Sequence, residues 1–130
     1  MTFRLDVSDV NRLAAQLHQK GIGISDEVRA IVEVGARNVK DDARKAISGL
    51  AHAPAYPFSI GYELFNARAL GLVSADIGPD KDKPQGALGN ILEYGTVNNA
   101  PFAHLGPALD REAPGFEKAL ADVAGEVFDR

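Results

Sequence analysis

The sequence contains no cysteine. That excludes a disulfide framework, thiolate metal sites and thiol nucleophiles, so packing and hydrogen bonds alone must hold the fold, as suits a reducing compartment. No apolar run approaches the roughly 18 to 20 residues needed to span a bilayer, and the opening MTFRLDVSDV lacks the basic-then-apolar layout of a secretory leader. The expectation is a soluble, unsecreted protein with no membrane partner. An excess of positive charge is missing too: 14 basic against 18 acidic side chains leave a net charge of -4, with no general pull toward nucleic acid. Internal repeats and sustained heptads are also absent.

What is present is the composition of an ordinary globular domain, 45% apolar and 25% charged over 130 residues, read here as a single domain over 1–130. Val10, Leu13, Ala14 and Leu17 are spaced for one face of a short opening helix over Ser8 to Lys20. Ser25 is placed to cap a second, longer helix with Asp26 and Glu27 in its first turn. Its apolar stripe runs Val28, Ile31, Val32, Gly35, Val39, Ala43, Ala46 and Ile47, and Gly49 marks its end. Arg29, Glu33, Arg37, Lys40, Asp41, Arg44 and Lys45 take the other face, which reads as a salt-laced solvent surface.

Pro54 and Pro57 forbid helix in AHAPAYPF, and Tyr56 and Phe58 between them read as plugs for the edge of the chain's own core. Ile60 to Gly78 reads as short strands around turns, with helix an open alternative for Tyr62 to Leu70. Gly78 to Asn90 mixes glycine, proline and alternating charge with little to bury, so a mobile loop is expected over 78–90. Ile91, Leu92 and Tyr94 supply a compact apolar element, and a last helix covers about Pro107 to Arg130 on the stripe Leu109, Phe116, Leu120, Val123 and Val127. Pro114 is expected to kink it or to start a separate helix. The fold class is α+β: a long amphipathic helix and a C-terminal helix packed on a small, mostly antiparallel sheet.

Chemistry-bearing patterns are sparse. His18, His52 and His104 have no paired ligand spacing and read as ordinary surface histidines. The pairs Asp41 with Asp42 and Asp80 with Asp82 sit in charged surroundings with nothing to raise a carboxyl pKa. GNILEYGT over 89–96 lacks the lysine of a phosphate loop, and no serine occupies a Gly-x-Ser-x-Gly elbow. No catalytic, metal-binding or cofactor-binding residue is assigned, no cofactor is expected, and the chain is read as a non-enzyme.

One segment is more specific: Ile91-Leu92-Glu93-Tyr94-Gly95-Thr96, then Ala100-Pro101-Phe102, then Leu105-Gly106-Pro107-Ala108-Leu109. It resembles the HK ninety-seven gene-product-ten-like family of siphophage neck and tail-completion proteins, in which an aromatic-rich Glu-[Phe/Tyr]-Gly-Thr precedes a proline-containing loop and a closing helix. Glu93, Tyr94, Gly95, Thr96, Pro101, Leu105, Pro107 and Ala108 follow that order. Members often carry Thr-Gly-x-Leu-Arg before the first strand, where this chain has Ala55-Tyr56-Pro57-Phe58.

The resemblance implies a virion structural protein made in the bacterial cytoplasm. It would form a homo-oligomeric, hexameric ring at the head–tail junction, beside neck, portal-side or tail-tube proteins, with DNA passing the lumen without tight binding. A tail terminator or minor tail protein is the nearest alternative; a small bacterial binding module or hydrolase is the more distant one. The residues also have a purely local reading as a chain-reversal device. Gly95 takes positive φ after a buried aromatic, Thr96 bonds into the following turn and Pro107 sits in the first turn of the last helix. Asp80, Lys81, Asp82, Lys83 and Gln85 form the candidate assembly loop, whose deletion is expected to leave the monomer folded.

Overall fold

The computed structural model describes residues 3–5, 26–67 and 72–128. The expected opening helix over Ser8 to Lys20 and the Ser25 cap lie outside the described residues.

Val28, Val32, Gly35, Val39 and Ala43 recur at three- and four-residue steps, and helix α1 (Asp26–Ala46) forms on that stripe. All five are buried, with Ala36 beside them and Ile47 just beyond; Ile31 is half-buried and Ala46 faces solvent. Asp26 and Glu27 at its start and Arg44 and Lys45 at its end complement the helix dipole. Past the helix the chain turns at Gly49, whose φ of 86° suits a residue without Cβ.

Three antiparallel strands, β1 (Phe3–Leu5), β2 (Ile60–Ala67) and β3 (Leu72–Pro79), lie in the order β1-β3-β2. The β2–β3 hairpin runs in register from Ile60↔Pro79 to Ala67↔Leu72. Its inner face carries Ile60, Tyr62 and Leu64 from β2 and the buried Val73, Ala75 and Ile77 from β3, with Tyr62 opposite Ile77 and Leu64 opposite Ala75. This period-two burial against α1 outweighs the helix propensity of residues 62–67, so the helical alternative there is overturned.

Arg44 is not part of the solvent face. Its Nε donates to the Ile60 carbonyl at 2.9 Å and a terminal nitrogen does so at 2.5 Å, tying the end of α1 to the start of β2. Nearby, Lys40 lies 5.7 Å from the Tyr62 ring centroid, and the Tyr62 hydroxyl donates to Glu33 at 3.4 Å.

After β3 the chain makes helix α2 (Gly89–Tyr94) and then α3 (Leu105–Phe128). Leu105, Ala108, Phe116, Leu120 and Val123 bury the inner stripe of α3 in the core shared with α1. Outside the core, Arg111 donates to both Asp42 oxygens at 2.7 and 2.9 Å, and Asn38 donates to Glu112 at 3.1 Å. Pro114 does not divide this helix but sits inside it. Both Pro114 and Asp110, whose carbonyl loses its usual partner, are exposed, so water can supply the missing bond.

Residues 78–90 are more ordered than their composition suggests. The segment holds the end of β3, a 3-10 turn over Gly86–Leu88 and the start of α2. The α+β class stands, with α1 as the element on which the sheet and α3 both pack. No helix among the described residues is long and apolar enough to cross a membrane.

Candidate functional site

Glu93 sits in α2 between Leu92 and Tyr94, yet it is only 5% exposed. A buried carboxylate needs donors, and the N-terminus of α3 supplies them. Glu93 Oε1 accepts the Leu105 N–H at 2.7 Å, and its two oxygens accept the His104 N–H at 3.2 and 3.3 Å. The first bond inside α3 runs from the Ala108 N–H to the His104 carbonyl at 3.2 Å. Pro107 has no N–H to satisfy, so one side chain from another helix provides for most of the open first turn.

His104 continues the chain of contacts. It is fully buried, a correction to its reading as a surface histidine. Its Nδ1 lies 2.9 Å from the Phe102 carbonyl and 3.4 Å from Glu93 Oε1; both are acceptors, so Nδ1 carries the proton and favours the nearer carbonyl. With the proton on Nδ1, Nε2 is placed to accept from the Tyr56 hydroxyl at 2.7 Å. The two rings meet edge to face, 5.3 Å between centroids at 87°. Burial first, and the Glu93 charge second, push the Tyr56 phenol well above its ordinary 10.0, so it remains a donor.

Tyr56 thus enters the core as expected, whereas Phe58, two residues on, is 70% exposed. Tyr56, Glu93 and His104 spend their polar atoms on one another and on backbone, away from solvent. The arrangement fastens the 3-10 turn Tyr56–Ser59, α2 and α3 together. Among the described residues no group of three metal-ligating side chains occurs.

Between α2 and α3 the chain makes a closed excursion. Gly95, at φ 74°, donates to the Ile91 carbonyl at 2.8 Å. A Cβ there would meet the Asn99 carbonyl oxygen at 2.7 Å and the Pro101 nitrogen at 2.8 Å. Thr96 and Asn99 exchange backbone bonds at 2.9 and 3.3 Å, and the Asn99 amide donates to Thr96 Oγ1 at 3.0 Å. The Phe102 N–H returns to the Leu92 carbonyl at 2.7 Å, closing the base.

The structure therefore brings seven of the eight motif residues into one continuous device. Glu93, Leu105 and Ala108 form its buried root with the half-buried Pro107 beside them, and Gly95, Thr96 and Pro101 shape the excursion. Tyr94 is the exception. Expected as a buried aromatic, it is 64% exposed, because the inward position on α2 belongs to Glu93. Ile91 at 49%, Phe102 at 55% and Val97 at 102% exposure are likewise turned to solvent. The buried roles of His104 and Glu93 escaped the sequence reading; the one visible signal was an acid embedded in the apolar run Ile91-Leu92-Glu93-Tyr94.

The five assembly-loop residues lie elsewhere and divide by role. Lys81, Asp82 and Lys83 are exposed. Asp80 instead orders the turn: its N–H reaches the Ser59 carbonyl at 2.8 Å, its carbonyl accepts from Lys83 at 3.1 Å, and Oδ1 accepts from Asp82 at 2.9 Å. Gln85, at φ 61°, accepts the Ala55 N–H at 2.7 Å and donates to the His52 carbonyl at 3.4 Å. Deleting the whole stretch would remove these anchors, which argues against the expectation that the monomer stays folded without it. Beside this turn, on the outer face of the hairpin, is a cleft of about 600 Å³. Gly61 and Gly78 stand opposite each other along it, rimmed by Glu63, Asp76, Asp80 and Lys83.

No protein-family model, curated protein or solved structure matches this chain.

Proposed function

We propose that this chain is a structural protein of a tailed-phage virion, forming a hexameric ring at the head–tail junction through which DNA passes. The observation that carries the reading is the division of labour within the motif segment. Its buried residues secure α2 and α3, while Tyr94, Val97 and Phe102 stand exposed between them. A protein that spends a rigid, hydrogen-bonded scaffold on holding apolar side chains in water is built for association. The resemblance to neck and tail-completion proteins supplies the kind of assembly. A ring made from identical copies needs one patch of each protomer to meet a different patch of the next.

Light scattering over a concentration series, with negative-stain imaging, tests this. Uniform closed rings are expected; a strict monomer both alone and with its candidate neck partners would sink the proposal. A tail-terminator or minor tail role makes the same prediction for the isolated protein, and copy number and position in the virion distinguish them. The net charge of -4 supports a lumen that lets DNA slide, since tight backbone binding needs basic neutralisation. Submicromolar, salt-sensitive DNA binding by the purified protein would contradict that part.

A further inference from the structure

In the order β1-β3-β2, strand β2 has a neighbouring strand on one side only. Which of its main-chain groups face that neighbour follows from a bond just before it. The Asp80 N–H donates to the Ser59 carbonyl at 2.8 Å, and these two residues stand opposite each other when the register Ile60↔Pro79 is extended by one step. In an antiparallel pair such bonded positions alternate with positions whose N–H and C=O point away from the partner. Gly61, Glu63 and Phe65 therefore bond to β3, while Ile60, Tyr62 and Leu64 turn their main-chain groups to the open side. Ile60 fixes the phase independently: its N–H donates to the Pro57 carbonyl and its own carbonyl accepts from Arg44, neither of them in β3. Among the described residues nothing bonds the outward N–H and C=O groups of Tyr62 and Leu64.

An unpaired edge is an open template for another strand, and chains commonly blunt it with proline or lysine on the strand itself. β2 carries neither, and its one charged residue, Glu63, lies on the face away from α1. The cations stand instead on the flank of α1 beside the edge. Arg44 reaches Ile60, Lys40 lies 5.7 Å from the Tyr62 ring centroid, and Arg37 shares their stripe at three- and four-residue steps. Glu33 belongs to the same stripe but is engaged, accepting from the Tyr62 hydroxyl at 3.4 Å and pairing with Arg37 at 3.8 Å. Lys40 pairs with the exposed Asp41 at 3.3 Å, and among the described residues no carboxylate pairs with Arg44. In a chain of net charge -4, this flank thus sets Arg37, Lys40 and Arg44 against Glu33 alone, directly beside an open strand edge.

We propose that the open edge of β2 is a strand-addition site for an extended, acidic segment of another protein, whose main chain bonds Tyr62 and Leu64 and whose carboxylates face Arg37, Lys40 and Arg44. Side chains of an added strand alternate between the two faces of the sheet, so carboxylates spaced two residues apart would all fall on the α1 side. The main-chain bonds supply the grip and the cations select the partner. A basic segment would meet like charge along the same flank. The surface does not rest on the ring reading.

The full chain is titrated with an octapeptide alternating valine and glutamate, with its valine–lysine counterpart, and with a fully N-methylated form of the glutamate peptide, which keeps the charge but cannot donate main-chain bonds. Amide hydrogen exchange, followed by NMR, locates the contact. The glutamate peptide is expected to slow exchange at Tyr62 and Leu64 and to bind at least about tenfold more tightly than either control. Arg37→Glu, at a half-exposed position, should weaken that binding several-fold and leave the urea midpoint nearly unchanged. Equal binding of the N-methylated peptide would reduce the contact to attraction by charge, and equal binding of the lysine peptide would remove the role of the cations; either overturns the proposal. Protection of Tyr62 and Leu64 that grows with protein concentration in the absence of peptide would assign the edge to a second copy and overturn it as well. No binding at millimolar peptide would leave Lys40 and Arg44 as guards of the edge, and the proposal would fall.

Discussion

Replacing Glu93 by glutamine keeps the shape of the side chain but turns one of its two acceptors into a donor facing the His104 and Leu105 N–H groups. Losing a charge-assisted cap in a buried site should cost about 1–3 kcal/mol, read as a lower urea midpoint at unchanged slope. Tyr56→Phe tests the far end of the same network. It leaves His104 Nε2 buried without a donor and should cost about 1–3 kcal/mol at neutral pH. The pH dependence then carries its own sign. The folded-state pKa of Tyr56 lies above the unfolded value of 10.0, so its contribution is fully present below pH 10 and is lost as pH rises beyond it. Urea titrations at stepped alkaline pH should show the wild type losing stability more steeply than Tyr56→Phe; parallel slopes would mean the phenol ionises freely in the folded protein.

Among the elements, α3 contains a residue that its own geometry does not favour. Pro114→Ala restores one main-chain bond on an exposed face and should stabilise the protein by up to about 3 kcal/mol, seen as a rise in Tm. A fall in Tm would show that α3 needs its proline to lie along α1. In the turn before α2, Gln85→Ala removes the bonds to Ala55 and His52 and should cost about 1 kcal/mol. The exposed Lys81, Asp82 and Lys83 should be replaceable by alanine within about 0.5 kcal/mol in total by the same denaturation assay. These elements were unequally legible. The long helix could be read because Val28, Val32, Val39 and Ala43 repeat its period locally; the hairpin was legible only as short strands around turns, since Glu63, Leu64 and Ala67 are good helix formers and left helix open over residues 62–70. Residues 78–90 looked like open loop because their bonds reach back to Ser59, Ala55 and His52, which no local pattern reveals. Glu93 and His104 were opaque for a related reason: each becomes buried only once α2 and α3 meet. Tyr94, by contrast, was assigned to the core on hydrophobicity alone, with no allowance for an acid taking the inward position.

Across the whole molecule, α1 is clasped on its two sides by different chemistry. Arg44 bonds the Ile60 carbonyl on the sheet side, and Asp42 receives both Arg111 donors on the α3 side. The second clasp is exposed and screened by salt, so raising ionic strength should lower stability only slightly; a large drop in Tm with salt would place more of the fold's cohesion in surface charge than its geometry suggests. The root of the excursion has a mechanical meaning as well. Its two ends are pinned at Phe102 to Leu92 and at Glu93 to the first residues of α3. A pull on its tip is therefore not absorbed by slack in a loop. Tension is handed to α3 and, through the seam with α1, to the rest of the subunit, so a load borne at one point of an assembly would be shared by whole subunits.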